Sequence, residues 1–369
     1  NLLNEYKVEE INFDLNIKDK KYIIENITFS NEGINFNSKK IVIKNISDNY
    51  EIEGDLTNEK GLINPKYLAR ILNYKLNFLD NKNILAETKN EFKFKINSNN
   101  KIKDLSIISK VNFEEIFINK KIQSLISLQK GSIKTNYKKN YLEIDIDSGY
   151  SFLNENYQNN KNDKIIINNW KNKNKDLKIK ALIKNENNSL NSKELLNYFK
   201  NINQLIEEQN LKFGSINKIN FIIDDNNKIK NFKIKSQINL DEVIINYESS
   251  KLKKIFPNYK NSFSLKNNII EIDYSKKKTK LNSSGTYSMD KEYDNFQFKL
   301  IKNKNTLDFN SKLSIEANQI LLEDINYKKK KDIFSEIEFK GKLFDNNKII
   351  FEKINYLENK NNISLSNLY

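Results

Sequence analysis

Apolar and polar residues alternate along most of this chain. Ile11, Phe13, Leu15 and Ile17 are separated by Asn12, Asp14 and Asn16. The same period of two returns at Phe92, Phe94 and Ile96, at Phe296, Phe298 and Leu300, and at Ile337 and Phe339. Leu307 with Phe309, and Leu313 with Ile315, make a further pair of runs. A period of two sends successive side chains to opposite faces of a strand, so each run predicts a strand with one dry and one wet face. Short runs separated by turn residues suit an antiparallel meander.

The pattern also repeats on a longer scale. Residues 101–119 and 228–246, offset by 127, are identical at nine of nineteen positions, and both break the apolar register once, at Ser109 and Ser236. Upstream, 90–100 matches 217–227 at the same offset, and Pro65–Tyr74 falls opposite Ser192–Asn201, with Leu68 facing Leu195. Downstream, 138–146 matches 266–274 at an offset of 128. The predicted fold is mainly β: an elongated, twisted or curled antiparallel sheet, groove-like or solenoid-like, with a few short α-helices. The expected divisions are a β-rich segment over 1–64, repeats over 65–191 and 192–320, and the start of a further β unit over 321–369.

Helical spacing interrupts the strands at Pro65–Leu79, capped by Asn64, and at Lys193–Leu211, where Asn191 and Glu194 make a capping pair. Their apolar stripes are expected to pack over an end or lip of the sheet. A shorter helix over Lys251–Phe256 stops at Pro257, and its counterpart Ile122–Leu128 is a further helix candidate. With only 8 Gly and 2 Pro, the Asn-rich stretches 97–100, 159–162 and 185–188 are expected to make the turns.

Composition narrows the chemistry. The chain has no Cys, no His and a single arginine, Arg70. Disulfides, His-based triads and the usual zinc sites are therefore absent, and arginine forks for phosphate or guanine have one residue to draw on. No enzyme, cofactor or metal is expected. Glu114/Glu115, Asp224/Asp225, Glu143/Asp145 and Glu271/Asp273 are paired acids, and the last two pairs sit at strand spacing on the wet face, which favours a structural role. Trp170 reads as a core or edge anchor. The net charge of +15 is spread along strand faces and loops, with tight runs only at Lys276–Lys278 and Lys328–Lys331. It suits solvated faces first, an anionic membrane surface second, and no nucleic acid. No stretch nears the roughly eighteen apolar residues of a membrane span. A start at Asn1 without an apolar leader is expected of a mature chain or a piece of a longer protein.

A continuous dry face must be covered. Its lining is read as Ile11, Phe13, Leu15, Ile17, Phe92, Phe94, Ile96, Leu105, Ile107, Val111 and Phe113, then Phe232, Ile234, Ile238 and Leu240. A second sheet or bound lipid would serve. The strand units KIKDLSIISKVNFEEI and KIKNFKIKSQINLDEV, the connector LKKIFPNYKNSFSL and the interspersed short helices resemble the AsmA-like family of Gram-negative envelopes, in its repeating TamB/YhdP-type members. The resemblance implies a periplasmic β-groove, an inner-membrane anchor elsewhere in the protein, and phospholipid acyl chains moving between membranes. The rival readings are a closed β-scaffold or surface adhesin without ligand, and a polysaccharide-active β-helix enzyme, which the missing residue types disfavour.

Overall fold

The computed structural model describes residues 8–66, 82–118, 126–152, 155–170, 176–192, 206–224, 228–345 and 348–368. The chain forms two compact units, Asn1–Ile183 with Ile222–Lys230, and Lys184–Phe221 with Asn231–Tyr369. Both are built almost wholly of antiparallel β-strands.

The first unit is a meander. Its strands are β1 (Val8–Lys18), β2 (Lys21–Asn31), β3 (Ile34–Ile46), β4 (Asn49–Ile63), β5 (Ile84–Asn97), β6 (Ile102–Ile118), β7 (Ile126–Lys138), β8 (Asn140–Phe152), β9 (Glu155–Trp170) and β10 (Leu177–Asn191), whose last residues belong to the second unit. Each strand pairs antiparallel with the next. Connections therefore alternate between two ends of the sheet. One end carries tight turns, such as Asp19–Lys20, where both residues take left-handed φ of 49° and 61° and match the twist of the flanking strands. The other end carries the longer connections, together with the tight turns at Glu32–Gly33 and Asn359–Lys360.

The second unit holds β11 (Asn210–Ile223) and β12 (Ile229–Asn246), apart from their ends within Ile222–Lys230, then a one-turn helix α1 (Ser250–Ile255), β13 (Ser262–Ser275), β14 (Lys278–Ser288), β15 (Asp294–Lys302) and β16 (Thr306–Ser314). A small hairpin of β17 (Ile320–Leu322) and β18 (Tyr327–Lys329) follows, and the meander resumes with β19 (Ser335–Phe344), β20 (Ile349–Glu358) and β21 (Asn361–Leu368). β16 pairs directly with β19, so the hairpin is an excursion at the long-connection end.

Ladder partners share a face, so the register traces the dry side. In the first unit one row runs Leu15, Ile24, Ile41, Gly54, Phe92, Ile107, Tyr137, Leu142, Ile167, Ile179. In the second a row runs Ile238, Ile270, Ser283, Phe298, Ser311, Phe339, Ile354, Leu365. The opposite face carries Lys–Glu pairs.

The buried hydrophobic residues lie toward the long-connection end. Ile34, Ile63, Ile84, Ala86, Phe113 and Ile116 form the buried cluster of the first unit. In the second, α1 packs on β17, and Val243, Tyr259, Tyr287, Ile315 and Ile320 are buried near the same end. A polar lock closes it. Asp294 accepts hydrogen bonds from the Glu316 and Ala317 amides and from Asn318, while the buried Lys329 ammonium donates to the Glu316 and Asn318 carbonyls. Burial pushes the Lys329 pKa down although the Asp294 charge opposes this. Burial also pushes the Tyr287 phenol far up, and its hydroxyl donates to Ser314 O at 2.7 Å.

Some sequence expectations lie outside the described residues and others are corrected. The two long helices lie outside the described residues beyond Lys66 and Ser192, although Asn64 Oδ1 does accept from the Lys66 amide at 2.8 Å. The end of the second is not helical: Ile206 bridges Ile245, Gln209 bonds to Ile244 and Ser192, and Asn210 begins β11. Ile126–Leu128 is strand, because it pairs with the end of β6. The stretches 159–162 and 185–188 are strand as well. In the latter Asn187 has φ of 51°, a left-handed residue inside β10 rather than a chain reversal. The blocks 138–146 and 266–274 are not equivalent. β6 pairs with β7, and β12 pairs with β13, so β13 takes the ladder place of β7 and the shared Glu-Ile-Asp text falls one strand apart.

Gly54 lets the apolar row close up. A Cβ there would lie 2.9 Å from Ile41 Cγ1 and from Lys40 O, and 3.1 Å from the Phe92 ring, whereas one at Gly61 in the same strand meets nothing nearer than 3.7 Å. Gly54→Ala is therefore expected to destabilise by about 1–3 kcal/mol through overpacking, and Gly61→Ala to be neutral or slightly stabilising. Urea midpoints of the two variants test this; equal midpoints would contradict the close packing at Gly54.

Candidate functional site

The candidate site is the dry face itself. In both repeats the register is as the period of two requires. Phe232, Ile234, Ile238 and Leu240 are half-buried, and Lys233, Lys235, Gln237 and Asn239 between them are exposed. Leu105, Ile107 and Val111 are half-buried, Phe113 is buried and Lys110 is exposed. Asn112 is drawn into the wet face by a 2.6 Å hydrogen bond to Glu87, so it is only half-exposed. Phe92, Phe94 and Ile96 are half-buried on the same face. Ile11, Phe13, Leu15 and Ile17 lie on β1, where each is more than half exposed, because β1 has a ladder neighbour on one side only.

Among the described residues thirteen hydrophobic side chains are buried and twenty-three large ones are exposed, with the rest between. A two-layer fold would reverse that ratio. No described element lies over the middle of the face in either unit. Aromatic rings pave it instead. Phe221, Phe232 and Tyr274 stand at successive centroid spacings of 6.1 Å, and Phe309 meets Phe351 edge-on at 5.8 Å above Gly341.

A polar stripe crosses this apolar surface in each repeat. Thr88 donates to Asn58 Oδ1 at 2.5 Å, Asn90 donates to Thr88 at 2.9 Å, and Ser109 donates to Asn90 at 2.6 Å. At the offset of 127, Asn185 donates to Ser215 at 2.7 Å, Asn217 to Ser215 at 2.9 Å, and Ser236 to Asn217 at 2.5 Å. The repeated serine is thus the last member of a repeated hydrogen-bonded chain over three strands. Sequence reasoning singled out only the serines. The signal for the rest was present: Asn58/Asn185, Thr88/Ser215 and Asn90/Asn217 are polar residues at dry-face positions with the same spacing.

The wet face holds the paired acids. Lys44 and Lys93 meet Glu53 at 2.6 and 3.1 Å, and Lys164 meets Glu143 and Asp145 at 2.5 and 3.4 Å. Hydrogen bonds from Lys44 and then Lys93 hold Glu53 below the usual carboxylate range; Lys164 and then Tyr141 do the same for Glu143. Lys235 approaches Asp273 at 3.6 Å, Asn282 donates to Glu271, and Lys60 pairs with Glu114 at 2.5 Å. Asp224 takes Lys230 at 2.9 Å, while Asp225 lies outside the described residues, as does the side chain of Trp170. These acids are tied into cross-strand pairs. Among the described residues no three of Asp, Glu, His and Cys converge as metal ligands, and no helix is long and apolar enough to cross a membrane.

Compared with family models, curated proteins and solved structures, the chain matches none. The class of protein is set by the fold alone: an open antiparallel β-sheet architecture with repeat-like units and an apolar face that no described element covers.

Two outcomes are expected. Ser109→Ala and Ser236→Ala should each cost about 1 kcal/mol, the worth of one partly buried hydrogen bond, and should cost the same if the stripes are equivalent; denaturant titration of each variant reads this. The depressed Glu53 and Glu143 contribute stability that is complete above the ordinary Glu value of about 4.3 and is lost as pH falls through their lower folded values. The melting temperature should therefore drop in acid below about pH 4, and less so in high salt, which already screens exposed pairs. A melting temperature flat into acid would show that the pairs contribute nothing.

Proposed function

We propose that this chain carries the acyl chains of phospholipids along the apolar face of its sheet, as a non-catalytic segment of an AsmA-like envelope protein. The setting that goes with this reading is the periplasm of a Gram-negative bacterium, with an inner-membrane anchor elsewhere in the protein. The observation that carries the proposal is the row of apolar partners from Leu15 to Ile179, broken only by Gly54, whose members remain half-buried or exposed.

The physical argument concerns what such a face can hold. An uncovered apolar surface of this extent marks a binding surface. Burying a CH₂ group contributes about 0.8 kcal/mol wherever along the row it lies. Attraction of that kind has no direction and no deep minimum, so an alkyl chain can shift from rung to rung without a large barrier. Catalytic groups have no part in this. The wet face, with its Lys–Glu pairs, stays in water.

Native mass spectrometry of the purified chain should find co-purified phospholipid. Replacing Ile107 and Ile234 by Asp puts charges into the row; burying an unpaired carboxylate under acyl chains costs several kcal/mol, so lipid should be lost. Both positions are half-buried, so the variant should keep its β circular dichroism. A lipid-free wild type together with an unfolded variant would favour the closed scaffold instead.

A further inference from the structure

A ligand meets a hydrogen-bonded chain only through the donors and acceptors that the chain leaves unused, and in the polar stripe these are all of one kind. Asn90 Nδ2 donates to Leu56 O at 2.9 Å as well as to Thr88, and Asn58 Nδ2 donates to Glu59 O at 2.9 Å. A backbone carbonyl can only accept, so each amide nitrogen must face its carbonyl and each amide oxygen must face a hydroxyl. That fixes the sense of the whole chain. Thr88 gives its hydrogen to Asn58, and Ser109 gives its own to Asn90. Asn58 is buried, whereas Thr88, Asn90 and Ser109 are half-buried. On these three side chains every polar hydrogen is used, and only lone pairs remain. Ser109 Oγ accepts nothing among the described residues.

The second repeat keeps the same sense. Asn217 Nδ2 donates to Ser215, its oxygen takes the Ser236 hydrogen, and Ser236 Oγ accepts nothing among the described residues. An end serine that donates inward and keeps its lone pairs is therefore present twice. Hydrocarbon flanks it on both sides along its strand. Leu105 and Ile107 precede Ser109 and Val111 follows it, all half-buried. Phe232 and Ile234 precede Ser236, and Ile238 and Leu240 follow it, again half-buried. The ladder rows through the first stripe run Leu56–Asn90–Ser109–Thr135–Ile144 and Asn58–Thr88–Val111–Ile133–Ile146, and neither holds a carboxylate.

We infer that the stripe determines specificity on the apolar face: it accepts the hydrogen of a neutral hydroxyl carried within an alkyl chain, so the face selects hydroxylated acyl chains over plain ones. This rests on the acyl-chain reading above and adds to it the class of chain. A plain chain laid over the stripe displaces water from the lone pairs and returns nothing. A hydroxyl returns one hydrogen bond. Phosphate oxygens and ester carbonyls have no hydrogen to give, and an ammonium would be buried there without a counter-charge. A few placed polar groups on an apolar lining fix which of several similar ligands is held.

The test uses the full chain, incubated with vesicles of three phosphatidylcholines in equal parts and then re-isolated for lipid counting by mass spectrometry. One lipid has oleoyl chains, one has ricinoleoyl chains, which add a single hydroxyl, and one has ricinoleoyl chains with that hydroxyl methylated. A single neutral hydrogen bond corresponds to a ratio of about five. The ricinoleoyl lipid should therefore be enriched about fivefold over the oleoyl lipid, and the methyl ether, which has the oxygen without the hydrogen, should not be enriched. A variant with Thr88→Val, Asn90→Leu, Ser109→Ala, Asn217→Leu and Ser236→Ala removes the half-buried acceptors of both stripes and should lose the enrichment. A loss of stability alone would lower uptake of all three lipids together and leave their ratio unchanged. The wild-type ratios decide the matter even where that variant does not fold. Equal uptake of oleoyl and ricinoleoyl lipid, an ether enriched as strongly as the hydroxyl, or an enrichment that the variant keeps in full overturns the stripe as selector and leaves the acyl-chain reading standing. Uptake of none of the three overturns both.

Discussion

The fold depends on an antiparallel ladder with one apolar face that no described element covers. A ladder satisfies its own backbone, so each meander can form without a core beneath it. What it cannot satisfy is the apolar side. Burial at the long-connection end supplies a local core, around Phe113 in one unit and Tyr287 in the other. Beyond that the side chains stand half in water, which few soluble sheets tolerate.

The polar stripe modifies this picture. Asn58, Thr88, Asn90 and Ser109 could each have been apolar, yet they form a connected chain, and the second repeat keeps the same connections. A polar chain on an apolar surface must satisfy itself, because a bound alkyl chain offers no hydrogen bonds. It also fixes register. A slip of one residue would part Ser236 from Asn217 and turn the whole apolar set outward.

Much of the architecture could be read from the period of two. The faces of β6 and β12 follow from KIKDLSIISKV and KIKNFKIKSQI, because side-chain alternation in a strand is geometric and local. What failed was less local. Asn185–Asn188 looked like a turn because Asn tolerates left-handed backbone, yet the same property lets Asn187 sit inside a strand while its neighbour Asn185 bonds to Ser215. The Glu-Ile-Asp match misled because the text is shared while the strand count between the copies differs. The alternation of faces was readable, but the depth of burial along a strand was not. Ile102 and Phe113 lie on one strand with the same kind of side chain, and only the connections at one end decide that the first is 58% exposed and the second 5%.

The hairpin order of the ladders has a consequence for cooperativity. Each strand in the meanders pairs with its chain neighbours, and β16 with β19 departs from this only by the small excursion. Stability in such an array is close to a sum of nearest-neighbour terms. A lesion in one hairpin is then felt by the strands beside it and fades beyond them. A meander of this kind can vary in its number of strands through evolution with little redesign of the rest, since its ladder contacts run between neighbouring strands.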